Sequence, residues 1–246
     1  MPSAESPQHR PLWKGRALAL VGIVLVAVNL RTAVATMSPI YEQIGQDIVI
    51  TAVVIGLLGM VPPIMFSLAG ILSPRLSRAT GLEWALVIAC LAMVVGPVLR
   101  GFANDATMLG VGTIIALAGA GVGNILIPPA VKKYFPDRIG RMTAVYATIM
   151  SIGATLSPLA AAPATIAIGW RGWLLAWAFI GLACAAPWVA LALAHRRDLR
   201  SGDAMVITHT ALPAPIARSR LAWMLALAHL VPTVSVYAMF AWLPTI

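Results

Sequence analysis

Charged residues are scarce in this sequence of 246 residues, since Asp, Glu, Lys and Arg together make up only 10% of it. Soluble domains usually carry about 25% charged and about 45–50% apolar residues. Here the hydrophobic share is 60% and the mean hydropathy is +0.90, so a water-soluble fold could not cover its surface with polar atoms. The composition excludes an ordinary soluble domain and indicates a protein whose solvent is the lipid bilayer.

Cysteines and acidic residues are also few, and this limits the chemistry available to the chain. Cys90 and Cys184 both fall inside apolar runs, and the sequence has no CxxC motif or Cys/His cluster, so we predict no metal site and no cofactor. All eight acidic residues lie outside the apolar runs or at their ends. Because no HExxH, GxSxG or paired acid lies inside a run, the sequence argues against an intramembrane enzyme.

Seven apolar runs have the length, about 20 residues, that an α-helix needs to cross a bilayer. They cover approximately residues 17–37, 51–72, 84–99, 106–131, 142–168, 173–194 and 221–246. The 26 residues at 195–220 between the last two runs are polar and contain proline. We therefore divide the chain into a six-helix bundle (1–194), a cytoplasmic connecting loop (195–220) and a seventh helix (221–246) that begins a second half.

The basic residues predict how these helices are oriented. Fourteen Lys and Arg residues lie in the N-terminal tail and in the second, fourth and sixth connections, whereas the other connections hold only Arg100 and Arg171. Cytoplasmic loops carry such an excess, so we place the N-terminus in the cytoplasm and the chain in the cytoplasmic membrane. The same clustering argues against nucleic-acid binding, despite the net charge of +9, because no basic stripe follows a soluble surface.

The start of the chain also has features of a cleaved signal peptide, with a basic tail, an apolar run and the segment Ala33-Val34-Ala35. Arg31 directly ahead of that site is unusual for such a peptide. Cleavage would also leave an odd number of spans before the basic connection at Arg75 and Arg78. We therefore favour a retained first helix.

Small residues and tryptophans indicate how the helices pack and where they end. Small residues at helical spacing allow close approach of helices in lipid, where apolar contact alone drives no association. The second run has Gly56, Ser67 and Gly70 at helical spacing together with Met60 and Pro63, and the fourth has Gly112, Ala116, Gly119 and Gly123. Tryptophans 170, 173, 177 and 188 are interpreted mainly as interfacial anchors.

Arg31 is the one clear ionisable residue inside a predicted span, and such residues are costly enough to suggest function. It lies roughly 21 Å into a hydrocarbon core of about 30 Å. Two interpretations stay open from its depth alone. Its guanidinium extends to the membrane surface, or it faces an aqueous cavity and binds a polar or anionic solute.

Three further polar residues in the spans are candidates for solute or proton contact. Asn124 is expensive in lipid unless it bonds another helix or a molecule in a cavity, and both alternatives stay open. Tyr146 begins a stripe with Met150, Gly153 and Ser157 that either lines a cavity or packs against another helix. His229 is the only histidine inside a run, and it is either a hydrogen-bonded packing residue or, since histidine side chains titrate near neutral pH, the candidate for proton coupling.

Three segments of the chain resemble the cyanate permease and nitroimidazole exporter branch of the major facilitator superfamily. They are Asn29-Leu30-Arg31-Thr32 with Ser38-Pro39-Ile40, the sequence GVGNILIPPAVKKYFP over residues 121–136, and Ala241-Trp242-Leu243-Pro244. The chain departs from the general pattern of the superfamily at Pro74, where Asp is usual, and at Ile115, where Arg is frequent. These departures weaken any inference from well-known sugar or drug carriers.

The resemblance implies an all-α membrane protein with the N-terminal six-helix half of a twelve-span major facilitator fold plus the seventh helix. About five further spans, the missing C-terminal half, are then expected after Ile246. The implied activity is secondary active transport of a small polar or anionic solute, with Arg31 and Asn29 serving the central cavity. A multidrug or metabolite efflux carrier and a truncated membrane protein without transport activity are the alternatives.

Overall fold

The computed structural model describes residues 15–200, 219–221, 223–225, 227–228 and 235. Among these residues the regular structure is entirely helical, which confirms the predicted all-α class. The α-helices are α1 (Arg16–Ala35), α2 (Tyr41–Asp47), α3 (Ala52–Thr80), α4 (Leu82–Gly101), α5 (Ala106–Tyr134) and α6 (Ile139–Arg200). A short 3₁₀ turn at Ser38–Ile40 leads from α1 into α2.

Helix α6 contains two membrane spans. Its 62 residues would extend about 93 Å, three times the thickness of a hydrocarbon core. At Gly169 the backbone leaves the helical region with φ +71° and ψ 164°, a conformation that glycine adopts at little cost. The first limb (139–168) and the second limb (170–200) correspond to the fifth and sixth predicted spans. Together with α1, α3, α4 and α5, they give six helical segments, one at each of the first six predicted spans.

Helices α3 and α6 extend beyond the ends of the spans predicted for them. Helix α3 begins after Thr51, whose hydroxyl accepts a hydrogen bond from Val54 N–H, and continues to Thr80 instead of ending near residue 72. Arg75 and Arg78 donate to carbonyls one turn earlier, so the basic connection is itself helical. Likewise α6 continues to Arg200, six residues into the predicted loop at 195–220. The remainder of that loop and the seventh helix lie mostly outside the described residues.

The glycine stripe of α5 packs against α4 as expected. A methyl group added to Gly96 would lie 2.5 Å from the backbone nitrogen of Ala116 and 2.6 Å from the carbonyl oxygen of Gly112. One added to Gly119 would lie 2.6 Å from the Ala89 carbonyl oxygen. The stripe of α3 behaves differently, because a methyl group on Gly56 or Gly70 would contact nothing within 4 Å in the described part of the chain.

The core lies between α1, α4, α5 and the second limb of α6. Trp188 is fully buried there and packs against Gly22, where an added methyl group would lie 2.8 Å from the indole ring. The interpretation of Trp188 as an interfacial anchor is therefore wrong, because its indole is enclosed in the bundle beside an α1 glycine that leaves room for it.

Candidate functional site

Arg31 lies on an outward surface of α1, near the end that leads to the 3₁₀ turn. Its side chain is exposed, whereas its neighbours Leu30 and Thr32 are 3% and 1% exposed. Within the described part of the chain it has no hydrogen-bond or ion-pair partner. A charged side chain on a membrane-spanning helix thus carries five N–H donors that are free for another group.

Asn124 lies on the adjacent α5 at the level of Arg31. A methyl group on Gly123 would be 3.2 Å from Leu30 Cδ2, so these two residues pack against each other. Arg31 directly follows Leu30 and Asn124 directly follows Gly123, and both side chains are exposed. The structure therefore brings a guanidinium and a carboxamide to one level of the bundle, on the surface where α1 and α5 meet.

Asn29 points away from that surface. It is two residues from Arg31, about 200° around the helix, and only 2% of it is exposed. Its Nδ2 is 3.8 Å from Cys184 Sγ on the second limb of α6, and its backbone carbonyl accepts a bond of 2.9 Å from the Thr32 hydroxyl. The carboxamide contributes to interhelical packing in this arrangement, which does not bring it together with Arg31.

Tyr146 is also distant from Arg31. The first limb of α6 runs parallel to α1, because Gly153 lies against Val28 and Ala161 packs in the same cluster as Met37. Tyr146 precedes Gly153 by seven residues, whereas Arg31 follows Val28 by three. The two side chains are therefore separated by about 15 Å along the bundle axis.

The stripe that begins at Tyr146 serves both of the predicted purposes, since Tyr146 and Met150 pack against the core whereas Gly153 and Ser157 line a cavity between α1 and the two limbs of α6. Tyr146 and Met150 are half-buried against the main core cluster, and Ser157 is 3% exposed. At Gly153 an added methyl group would lie 3.2 Å from the carbonyl oxygen of Val28 on α1. The remaining candidate, His229, lies outside the described residues.

Arg100 is a buried cation that sequence reasoning missed. It was counted in the third connection, but it belongs to the last turn of α4 and only 1% of it is exposed. Its Nε donates to Thr113 Oγ1 at 3.1 Å, and its terminal nitrogens donate to the backbone carbonyls of Ala33 and Thr113 at 3.4 and 3.5 Å. It therefore joins α4 and α5 to α1 two residues beyond Arg31.

A polar cluster closes the same end of the bundle. Asp47, the last residue of α2, accepts a hydrogen bond of 2.9 Å from Trp170 Nε1 and forms an ion pair with Arg171. Arg171 also donates to the Ala103 carbonyl at 3.2 Å and lies over the Trp170 ring. The hydrogen bond from Trp170 and the contact with Arg171 hold the pKa of the Asp47 carboxyl below its ordinary value.

The opposite end of the bundle has a buried acidic residue with two partners. Glu83 is 3% exposed, and its Oε1 accepts bonds of 2.6 Å from both Lys133 Nζ and the Tyr134 hydroxyl. This cluster ties the start of α4 to the end of α5. Among the described residues, no group of three or more His, Cys, Asp or Glu side chains could hold a metal ion.

Known proteins resemble this chain over nearly its whole length. The family model described as Major Facilitator Superfamily matches residues 19–246. The uncharacterized transporter YycB of Bacillus subtilis (strain 168) is 25% identical over 248 residues, covering 100% of this chain. A 2-nitroimidazole transporter of Escherichia coli (strain K12) is 30% identical over 235 residues, covering 95% of this chain. The chain spans 58% of the length of each of these two relatives.

Proposed function

The chain belongs to the major facilitator superfamily, and on that premise we propose that the protein is a secondary active transporter of a small polar or anionic solute. The single observation that carries the solute class is Arg31, which is exposed on a spanning helix and has no partner among the described residues. A guanidinium at membrane depth is costly and is stabilised when an anionic or strongly polar group accepts from it.

Asn124 supports the same proposal, because its carboxamide lies at the level of Arg31 and both donates and accepts hydrogen bonds. A small solute held between these side chains would meet a cation and an amide on adjacent helices. Asn29 and Tyr146 were also predicted to bind solute. We assign them supporting roles, Asn29 in fixing α1 against the second limb of α6 and Tyr146 in packing the first limb against the core.

We infer that the solute moves by alternating access, in which one bundle of helices rocks against the other around a fixed site. Hydrogen bonds and an ion pair at the two ends of this bundle support that view. Arg100 holds the end of α1 near Arg31, and Glu83 joins α4 to α5 at the far end. Because these contacts join its helices at both ends, the bundle can rotate as a unit while Arg31 and Asn124 keep their mutual position. Proton coupling through His229 belongs to the same proposal.

The membrane and the orientation are proposed from the charge distribution. Five of the described helices, α1, α3, α4, α5 and α6, are apolar and long enough to span a membrane. Arg75, Arg78, Lys132, Lys133 and Arg138 all lie at the end where α3 meets α4 and α5 meets α6. We assign this end to the cytoplasm, together with the N-terminus, and we place the protein in the cytoplasmic membrane.

Efflux of a drug or metabolite is the second candidate function. It is favoured by the 30% identity to a protein named as a 2-nitroimidazole transporter. An uncharged heterocycle is a weaker partner for a guanidinium than a small anion is, since only the anion adds the attraction between opposite charges and can accept two parallel N–H bonds. The two candidates therefore differ in which solutes should compete with each other.

A flux assay in proteoliposomes separates the candidates. The full-length protein is reconstituted, and the movement of radiolabelled cyanate, nitrate and formate is compared with that of 2-nitroimidazole. We expect at least one anion to move, and the other anions to inhibit it while 2-nitroimidazole does not. Movement of 2-nitroimidazole alone, insensitive to anions, would replace the first candidate with the second. Absence of all four fluxes in protein that is correctly inserted would favour a membrane protein without transport activity.

A further inference from the structure

The end of the bundle where α5 meets α6 carries far more positive than negative charge. Among the side chains that the structure describes at this end, nine are basic and only Glu83 and Asp137 are acidic. The basic ones are Arg16, Arg75, Arg78, Lys132, Lys133, Arg138, Arg141, Arg196 and Arg197. Glu83 is already paired with Lys133. Two acids cannot balance nine cations, so most of this charge is not neutralised within the described part of the chain.

Asp137 brings two guanidiniums together beside the first turn of α1. Its Oδ1 accepts from Arg16 Nη2 at 2.5 Å, and its Oδ2 accepts from Arg138 Nε at 3.2 Å. Arg16 also lies over the Phe135 ring, with its Cζ 5.0 Å from the ring centroid. The Arg138 side chain is 63% exposed, and its Nη1 and Nη2 bond no described residue. The carboxylate is therefore fully engaged, whereas Arg138 keeps donors for another group.

Arg141 adds a third guanidinium on the same side of α6. The Arg138 carbonyl accepts from Met142 N–H at 3.0 Å, so Arg138 opens the first helical turn. Residues three apart on a helix are neighbours, which places Arg141 beside Arg138. Arg141 is exposed, and it forms no hydrogen bond or ion pair with a described residue. We call Arg16, Arg138 and Arg141 the arginine cluster, which faces a single carboxylate.

The face of α6 that carries the arginine cluster continues as exposed apolar surface. Val145 follows Arg141 by four residues and Leu159 follows it by eighteen, about five full turns, so they share its side of the helix. Their side chains are 41% and 68% exposed. They lie on a membrane-spanning segment, where the surrounding solvent is hydrocarbon. A free phosphate would contact only the arginines, whereas an anionic amphiphile contacts both parts of this face.

We propose that the arginine cluster binds the headgroup phosphate of an anionic bilayer phospholipid. The phosphate oxygens accept from Arg138 and Arg141, for which guanidinium geometry is well suited, while Asp137 holds Arg16 beside them. The acyl chains lie along the exposed apolar face of the first limb. Basic residues at a membrane surface attract anionic lipids, and a lipid without net charge gains less. The site is independent of the solute, so it stands whether or not the protein transports an anion.

Native mass spectrometry tests the lipid site directly. The full chain in a mild detergent is titrated with dioleoyl phosphatidylglycerol or dioleoyl phosphatidylcholine and weighed intact. We expect at least fivefold greater retention of phosphatidylglycerol. The double variant Arg138→Gln, Arg141→Gln should lower its retention at least tenfold, since each arginine near a membrane surface contributes about fivefold. Retention of phosphatidylcholine should not change.

The double variant Arg75→Gln, Arg78→Gln is the matched control. It removes the same charge from the same end of the bundle, but these two arginines donate to carbonyls of their own helix. Its retention of phosphatidylglycerol should stay within twofold of the wild type. An equal loss in the two double variants would mean that net charge alone attracts the lipid, and it would overturn the site.

Arg141→Gln alone disturbs no described contact, so it tests the site even if the double variant does not fold. It should lower the retention of phosphatidylglycerol about fivefold. Millimolar inorganic phosphate and glycerol 3-phosphate, added in parallel, should leave the lipid adduct in place because neither has an acyl chain. Displacement by inorganic phosphate would reassign the cluster to a free phosphate. That outcome, unchanged retention in Arg141→Gln, or equal retention of the two lipids by the wild type would overturn the proposal.

Discussion

Arg100 Nε donates a 3.1 Å hydrogen bond to Thr113 Oγ1 inside the bundle, where α4 and α5 meet the last turn of α1. The other acceptors of this guanidinium are the backbone carbonyls of Ala33 and Thr113. All of its acceptors are neutral, so the buried charge depends on well-placed oxygens rather than on a carboxylate. Because Ala33 follows Arg31 by two residues, this contact fixes the part of α1 that carries the proposed solute residue.

Thr113→Val should therefore destabilise the protein by about 2–3 kcal/mol, because it leaves the Nε–H of a buried cation without an acceptor. Thr113→Ser keeps the hydroxyl and should remain close to the wild type. Thr143→Val is the control, since Thr143 is exposed on the first limb of α6. Thermal unfolding in detergent, followed by size-exclusion chromatography, measures the difference. Equal midpoints for Thr113→Val and Thr143→Val would contradict the role given to this contact.

The double variant Arg100→Met, Thr113→Val gives a sharper test of the same pair. Removing the charge also removes the donor that Thr113→Val leaves unsatisfied, so the two losses of stability should not add. Additive losses would mean that Arg100 and Thr113 stabilise the bundle independently.

The spans were predictable from the sequence, but the directions of their side chains were only partly so. Hydropathy located six crossings, because each must be apolar over about 20 residues. Hydropathy assigned Arg100 to a connection rather than to a helix, since the apolar run ends at Leu99 whereas the helix continues to Gly101. The spacing of Asn29 and Arg31 carried a usable signal, because residues two apart on a helix face opposite sides. Only the packing of α1 shows which of the two is buried.

The α4–α5 contact predicts opposite effects for two glycine substitutions. Gly96→Ala places a methyl group 2.5 Å from the Ala116 backbone and should cost about 3 kcal/mol or more. Gly110→Ala is the matched variant, because nothing lies within 4 Å of the added methyl group. It should be neutral or stabilise α5 by up to about 1 kcal/mol through helix propensity. Thermal midpoints of the two variants give the comparison, and a neutral Gly96→Ala would contradict the packing described.

The packing of α3 illustrates what residue type alone could not decide. The stripes on α3 and α5 look alike in sequence, yet added methyl groups would meet described neighbours at Gly112, Gly119 and Gly123 of α5 and none at Gly56 and Gly70 of α3. Small residues permit close approach of two helices but do not determine which helix is the partner. The contacts that distinguish the two stripes join residues far apart in the chain.

The proposed orientation predicts which ends of the bundle are accessible from outside the cell. Cys90 and Cys184 are buried, so introduced cysteines should dominate labelling by a membrane-impermeant maleimide. Phe102→Cys lies between α4 and α5 and should be labelled in intact cells, since Phe102 is 61% exposed. Arg138→Cys lies between α5 and α6 and should be labelled only after the membrane is opened. The reverse pattern would invert the topology.

The Asp47 cluster predicts a pH-dependent contribution to stability. Its folded-state pKa is lowered by the Trp170 hydrogen bond and by Arg171, so the stabilisation is present above the unfolded pKa of about 4. It is lost as the pH falls through the lower folded value. Asp47→Asn should lower the thermal midpoint at pH 7 by about 3 °C or less, because the pair is solvent-exposed. The difference from the wild type should shrink as the pH falls below the unfolded pKa, and a difference that grows with acid would contradict this account.

A transport measurement on the Arg31→Ala variant is the most direct test of the central claim, which is that an exposed guanidinium on α1 binds the solute. Flux of the anion that the wild type moves best is measured in proteoliposomes, beside Arg31→Lys and the control Arg78→Ala. Arg78 is exposed and donates only within its own helix, to Pro74. We predict at least tenfold loss in Arg31→Ala, partial activity in Arg31→Lys and unchanged flux in Arg78→Ala. Wild-type flux in correctly inserted Arg31→Ala protein would contradict the claim.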